Sequence, residues 1–230
     1  MRSFAISDIH GCNKTFRTLI EKINLQKQDQ LFLLGDYINK GPDSKGVLDF
    51  IFELKHKGYK VFPVKGNHDQ MLLNAQRGFD LDSWFKEAEK KSTLDSFNVS
   101  TPLKIPSIYV QFLKEFPLYY QTDRYYLVHA GFDFTKANFL EDENFILNAN
   151  SYKVDLTKTE GKKVINGHVP HTIKNILDII QRNENAIKID AGCVYYKNEE
   201  LGNLIALNLN TNEIIVQKNI DLPYPVKLKG

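Results

Sequence analysis

Apolar and polar positions alternate along the first eighty residues in a repeating cycle. Residues 4–7 form a short apolar run, Asp8-Ile9-His10-Gly11 is polar and bendable, and Phe16, Leu19, Ile20 and Ile23 then fall at i, i+3, i+4 and i+7. That order predicts a strand, a turn and an amphipathic helix. Leu31-Phe32-Leu33-Leu34 begins the second cycle, closed by Gly35-Asp36. Gly41-Pro42-Asp43-Ser44 supplies a turn and a helix cap ahead of Val47, Leu48, Ile51 and Leu54. Residues 59–64 read as a third strand, stopped by Gly66-Asn67-His68-Asp69, with a helix beginning over 71–76. Three strand-to-helix units in succession predict an α/β fold with parallel strands.

Residues 79–120 change the pattern to helical segments carrying Phe79, Trp84, Phe85, Phe97, Tyr109, Phe112, Phe116, Tyr119 and Tyr120. Ile108, Phe112, Leu113 and Phe116 define a helix face after Pro106-Ser107. Core packing is the expected use of these aromatics, in an insertion placed to cap a neighbouring site. Strands return over 124–128, closed by His129-Ala130-Gly131, and over 163–165, closed by Asn166-Gly167-His168. Residues 186–189, 204–209 and 213–217 complete the strand set, and no repeat or Pro/Ser-rich linker divides the chain.

The chain has 230 residues, 42% hydrophobic and 12% aromatic, which is enough for one sizeable core. One domain over 1–230 is therefore expected, with the helical aromatic-rich insertion around 79–120. Thirty Lys and Arg against 28 Asp and Glu give +2, which announces neither nucleic acid nor a membrane surface as partner. The lysines from Lys153 to Lys174, with Lys227 and Lys229, read as solvated faces. Cys12 and Cys193 form no Cys-x-x-Cys and suit a reducing compartment, with one disulfide between them left open. No apolar run reaches the length of a membrane span and no secretion signal opens the chain, so the cytoplasm is the expected location.

Candidate chemistry gathers at the predicted strand ends: Asp8, His10, Asp36, Asn67, His129 and His168. Ligands in open α/β sheets bind at such carboxyl ends. Taken singly, Asp8 or Asp36 suits a turn or helix cap, Asn67 a turn, and His129 or His168 an interior hydrogen bond. Together they form an oxygen and imidazole donor set without thiolate, the chemistry of Mn²⁺, Fe or Zn²⁺. Two ions fit six ligands better than one: Asp8, His10 and Asp36 on one, and Asp36, Asn67, His129 and His168 on the other. Such a pair activates water and clamps an in-line displacement at phosphorus, so the expected reaction is phosphoester hydrolysis.

Asp8-Ile9-His10-Gly11, Gly35-Asp36-Tyr37-Ile38-Asn39-Lys40-Gly41, Gly66-Asn67-His68-Asp69, His129-Ala130-Gly131 and Gly167-His168 match in order the signature blocks of the calcineurin-like metallophosphoesterases. Within that family the chain resembles the bacterial and phage, lambda-type serine/threonine protein phosphatases, over residues 6–192 and including Ile189-Asp190-Ala191-Gly192-Cys193. The resemblance implies a four-layer αββα sandwich of two mixed sheets flanked by helices. It also implies two divalent ions, manganese first with iron, zinc or nickel as alternatives. His68 takes the place of the general acid that protonates the leaving oxygen, with the metal-bridging hydroxide as nucleophile. The implied substrate is a phosphoprotein or small phosphoester, with no nucleic acid and no membrane.

The departures are specific. Asn39 stands where the family has the aspartate that orients the acid histidine, and Lys40 and Lys65 stand where it has arginines. Asn150 takes the place of a third arginine. Lys40 and Lys65, with Asn67, remain the expected phosphate binders, as point charges without the arginine fork. A neutral Asn39 can accept a ring N–H and cannot stabilise imidazolium by charge. These changes favour leaving groups needing little protonation, such as aryl phosphates or polyphosphates. Two alternatives stand beside the protein-phosphatase reading: a dinucleoside polyphosphate (diadenosine tetraphosphate) hydrolase, and a metal-binding regulatory protein with degraded catalysis. His56 reads as surface, and His171 as a neighbour of the site.

Overall fold

The computed structural model describes residues 1–221; Lys227, Lys229 and the Phe85 side chain lie outside the described residues. Strands β1 (Ser3–Ile6), β2 (Gln30–Leu33) and β3 (Lys60–Pro63) pair in parallel, and β8 (Asn203–Asn208) and β9 (Ile214–Lys218) extend the sheet antiparallel in the order β3-β2-β1-β8-β9. The second sheet runs β4-β5-β6-β7, from β4 (Tyr119–Gln121), β5 (Tyr125–Val128), β6 (Lys163–Asn166) and β7 (Ala186–Lys188). Only β4 is antiparallel there. Both sheets are thus mixed.

Side chains alternate between faces, and the alternation builds the layers. Ala5, Phe32 and Ile205 of the first sheet meet Leu127, Ile165 and Ile187 of the second in one buried cluster between the sheets. Their neighbours Phe4, Ile6, Leu31 and Leu33 point the other way. There they meet Phe16 and Leu19 of α1 (Asn13–Lys22) and Leu48 and Ile51 of α2 (Ser44–His56). Asp43 caps α2 by accepting from the Gly46 N–H at 2.8 Å. On the far side of the second sheet, Tyr126, Val128 and Val164 pack with Phe132, Phe139 and Ile146, the last from α7 (Glu143–Asn148). The arrangement is the four-layer αββα sandwich.

Four details differ from expectation. α3 (Asn67–Ala75) begins at Asn67 instead of near Met71, because Asp69 caps it by accepting from the Gly66 N–H. Residues 79–120 contain α4 (Leu81–Lys86), α5 (Ala88–Ser96), α6 (Ser107–Lys114) and then the edge strand β4, which the aromatic run Tyr119-Tyr120 disguised as helix. Trp84, Phe97, Phe112 and Phe116 pack in the core, but Phe79 and Ile108 are exposed. Lys158 and Lys163 are half-buried, since their ammonium groups donate to the carbonyls of Phe134 and Asn183. Helix α8 (Ile173–Gln181) joins β6 to β7 and buries Ile176 in the inter-sheet cluster. Cys12 and Cys193 are both buried, and no disulfide joins them. No helix among the described residues is long and apolar enough to cross a membrane.

Candidate metal centre

Parallel pairing sends β1, β2 and β3 out at one edge, and β5, β6 and β7 do the same in their sheet. The loops that follow bend sharply. Asp8, His10, Asp36, Asn39, Lys40 and His168 all have left-handed backbones, with φ between 46° and 70°. Asp and Asn tolerate that region, whereas His10, Lys40 and His168 carry strain that the surrounding structure must hold. Close approach explains the glycines of the motifs: a Cβ on Gly66 would overlap Asp36, and one on Gly167 would overlap Ser7 and Asp8.

Two imidazoles are locked by backbone carbonyls. His10 Nδ1 donates to Ile38 O at 3.0 Å, and His129 Nδ1 donates to Leu34 O at 2.8 Å. Each Nε2 therefore keeps its lone pair for the interior, the usual arrangement behind a metal-binding histidine. His10 Nε2 lies 3.3 Å from Asp36 Oδ2, and His129 Nε2 lies 3.5 Å from Asp36 Oδ1. His129 Nε2 is also 2.9 Å from Asn67 Oδ1 and 3.1 Å from His168 Nδ1. Asp8 accepts from the His168 N–H at 3.0 Å and from the Ser7 hydroxyl. Ligand atoms of Asp8, Asp36 and His129 lie within 4.8 Å of one another, as do those of His10, Asp36 and His68. Asp36 belongs to both groups, as a bridging carboxylate would.

The donor set fits a divalent pair. Asn67 Oδ1 faces acceptors only. Turning its amide over would offer N–H to His129 and Asp36, and a cation among these lone pairs would satisfy them all together. Charge supports the second arrangement. Burial raises the pKa of Asp36, which His129 opposes and Asp8 reinforces, and burial with Asp8 raises Asp190 well above the carboxylate range. Burial, with Asp36, pushes Asp69 up to about 7. Burial and Lys40 hold His10 and His68 well below the usual histidine value, and burial with His129 brings His168 down to about 4. His129 alone rises, because Asp36 and Asp8 outweigh its burial. Buried carboxylates that resist ionisation are groups whose charge a nearby cation would stabilise.

His68 sits on the first turn of α3, its ring edge-on to His10 at 4.9 Å between centroids. Its Nδ1 is 3.1 Å from the Asn39 amide nitrogen. Behind the amide, Thr93 Oγ1 donates to Asn39 Oδ1 at 2.7 Å, accepts from the Asn39 N–H at 2.9 Å and lies 3.0 Å from Ser44 Oγ. Asn39 therefore donates to His68, where the sequence suggested that it would accept a ring N–H. Donation requires a bare Nδ1 and puts the proton of a neutral ring on Nε2.

Lys40 Nζ donates to His10 Nε2 at 2.9 Å; burial works against its charge, but Asp36, Tyr195, Asp8 and Asp190 keep its pKa above the usual lysine value. Lys65 stands apart, lining a cavity beside α3. Asn150 and His56 are exposed. His171 reaches the site only through its backbone N–H, which donates to Asp190 O at 2.8 Å. Sequence reasoning missed Thr93, which no strand-end pattern marks. It also missed the structural task of Asp69, whose carboxylate accepts from the N–H groups of Asp36, Tyr37 and Gly66. Its place three residues after Gly66, as the acid of a capping pattern, was the available signal.

Fold and site together define an α/β sandwich with a divalent-metal type of centre at its strand ends. The profile of the calcineurin-like phosphoesterases matches residues 1–212, and the chain belongs to that family. A symmetrical bis(5'-nucleosyl)-tetraphosphatase of Buchnera aphidicola is 38% identical over 103 residues, 44% of this chain and 34% of that protein. One of Nitrosomonas europaea is 33% identical over 132 residues, 57% of this chain and 45% of that protein. The match thus spans less than half the length of these curated relatives. A crystal structure named as a candidate diadenosine tetraphosphatase superposes with a TM-score of 0.64 at 22% identity, covering 94% of this chain and 92% of the other. A cold-active protein-tyrosine phosphatase of a psychrophilic Shewanella gives 0.61 at 15%, covering 96% and 78%. At such identities the structural likeness speaks for the fold alone.

Proposed function

We propose that this phosphoesterase hydrolyses dinucleoside polyphosphates, as a symmetrical bis(5'-nucleosyl)-tetraphosphatase does, in preference to phosphoproteins. The observation that carries the reading is the direction of the Asn39 to His68 hydrogen bond, with the tetraphosphatase names of the relatives in support. An alkoxide leaves poorly without a proton, and imidazolium is the side chain suited to give one near neutral pH. Here Asn39 and burial both disfavour imidazolium. A leaving phosphate, whose own second pKa is about 6, departs without that help. No observation favours the phosphoprotein substrate.

Asp8, His10 and Asp36 would hold one divalent ion, and Asp36, Asn67, His129 and His168 the other. Such a pair, when bound, supplies Lewis acidity and a nucleophilic water at neutral pH. The chain's own residues do the positioning. Lys40 brings a positive charge into the site, Ile38 and Leu34 carbonyls fix the ring orientations of His10 and His129, and Asn39 holds His68 in the tautomer with its proton on Nε2. The test is product analysis with manganese present: ADP from diadenosine tetraphosphate against phosphate from a phosphoserine peptide. Two ADP per substrate, and faster turnover than the peptide, are expected. Equal or faster turnover of the peptide would overturn the proposal.

A further inference from the structure

A second cavity, of about 470 Å³, opens beside α3, the helix that begins at the candidate ligand Asn67. Lys65, which lines it, immediately precedes Gly66 and Asn67 in the chain. Gln70 and Leu73 on α3 and Arg77 just beyond it form one wall. Lys114, the last residue of α6, and Glu143, the first of α7, close the other side. Three cations thus face one carboxylate.

Their pairing sets these cations apart. Elsewhere Lys45, Lys57 and Lys91 are tied to carboxylates at 2.6 Å. Among the described residues, the side chains of Lys65, Arg77 and Lys114 make no such ion pair. Unpaired like charges around a walled cavity concentrate positive potential and attract an anion. Gln70 adds a second, different requirement. Its Nε2 donates to Asn74 Oδ1 at 2.9 Å, while its Oε1 is buried without any partner. A buried acceptor of this kind lacks a donor, and its residue lines the cavity.

An anion that also carries a hydrogen-bond donor answers both demands. We propose that this cavity seats one nucleotide arm of a dinucleoside polyphosphate, with its phosphates against Lys65, Arg77 and Lys114 and a ribose hydroxyl or base amino group donating to Gln70 Oε1. The inference rests on the substrate class proposed above and assigns where that substrate's length is held. Its volume is within the range of small-molecule sites. The larger cavity, about 720 Å³, is less suited to an anion: its charged lining is Asp133 and Asp155 against Lys153 alone.

The experiment measures ADP and pyrophosphate binding by calorimetry to the manganese-loaded full chain, and KM and kcat for diadenosine tetraphosphate. Arg77→Ala with Lys114→Ala should weaken ADP by about tenfold and raise KM with kcat retained, as loss of charged phosphate contacts does. Gln70→Leu should weaken ADP severalfold and leave pyrophosphate unchanged. Unchanged ADP affinity in the double variant would overturn the cavity, even if diadenosine tetraphosphate is hydrolysed normally. Equal loss of ADP and pyrophosphate in Gln70→Leu would overturn the nucleoside contact. Weakened ADP binding in a chain that fails to cleave diadenosine tetraphosphate would support the cavity while defeating the substrate reading. Melting temperatures within a degree of the parent confirm that the exposed substitutions leave the fold intact.

Discussion

Asn39→Asp replaces the donor behind His68 with an acceptor while changing almost nothing in shape. Asn39 is fully buried, and Thr93 already donates to its Oδ1, so the second oxygen of an aspartate would face His68 Nδ1 at about the 3.1 Å now spanned by the amide nitrogen. A carboxylate this close to a buried histidine raises its pKa by about 1–3 units, each unit being a tenfold gain in imidazolium where the ring is mostly neutral. In the parent the His68 pKa is held well below 6.5, so the ring stays neutral from pH 6 to 8. The variant should therefore gain about 10- to 10³-fold in kcat on a serine phosphopeptide, below the roughly 10⁴ seen for the reverse change in a serine protease. Gains on an aryl phosphate or on diadenosine tetraphosphate should stay within about threefold, because their leaving groups need little protonation. The pH profile should change with it: the variant's alkyl-phosphate rate falls as pH rises through the raised pKa, a limb the parent lacks. No gain on the peptide, or the same gain on every leaving group, would refute the dyad argument.

Thr93→Val keeps the volume but strips the hydroxyl that holds both ends of Asn39, leaving a buried amide oxygen without its donor. A loss of about 1–3 kcal/mol in urea unfolding is expected, and an unchanged midpoint would show that Ser44 alone suffices. Gly167→Ala drives a Cβ into Ser7 and Asp8, so manganese content measured by elemental analysis should fall together with activity. Retention of two ions per chain would count against Asp8 as a ligand. Metal removal should expose a pH dependence of stability. Asp69 has a folded pKa of about 7 against 3.8, and Asp36, Asp190 and His129 are raised as well, while the depressed His10, His68 and His168 act in the opposite sense only below about pH 6.5, so the native state binds more protons than the unfolded one between about pH 6.5 and 8. Stability of the metal-free chain should therefore fall as pH rises through that window, and manganese should restore it most at the upper end. A metal-free melting temperature that rises from about pH 6.5 to 8 would contradict this account.

The fold was legible where burial leaves a periodic trace. Leu31-Phe32-Leu33-Leu34 serves two cores at once, Leu31 and Leu33 toward the helices and Phe32 and Leu34 toward the other sheet, and such a two-sided strand reads as a continuous apolar run. Edges left weaker traces. β4 is three residues long and carries Tyr119 and Tyr120, both half-buried, so nothing in its composition separates it from the helix face ending at Phe116. The start of α3 was misread because Gly66-Asn67 resembles a turn until Asp69 is seen capping the helix from within.

The metal-type residues were legible for a different reason: each lies within a few residues of the end of a buried strand, and the fold has few ways to place such groups except together. Thr93 lies outside that logic. It reaches Asn39 from α5, 54 positions away in sequence, through a helix whose own face is weakly patterned. Its donation to Asn39 Oδ1 accompanies the arrangement in which the amide nitrogen faces His68. Residue identity at position 39 alone does not settle this, since an amide can present oxygen or nitrogen to the same ring. Thr93 and Ser44 bind Asn39 on the backbone side, while Thr93 also claims the amide oxygen. The nitrogen is what remains for His68. Segment 79–120 therefore meets the strand-end site through the Thr93 hydroxyl on Asn39 and through the Glu89 carbonyl, which accepts from the Lys40 N–H at 2.8 Å, and a change at Thr93 should alter leaving-group preference while touching no ligand of the metal centre.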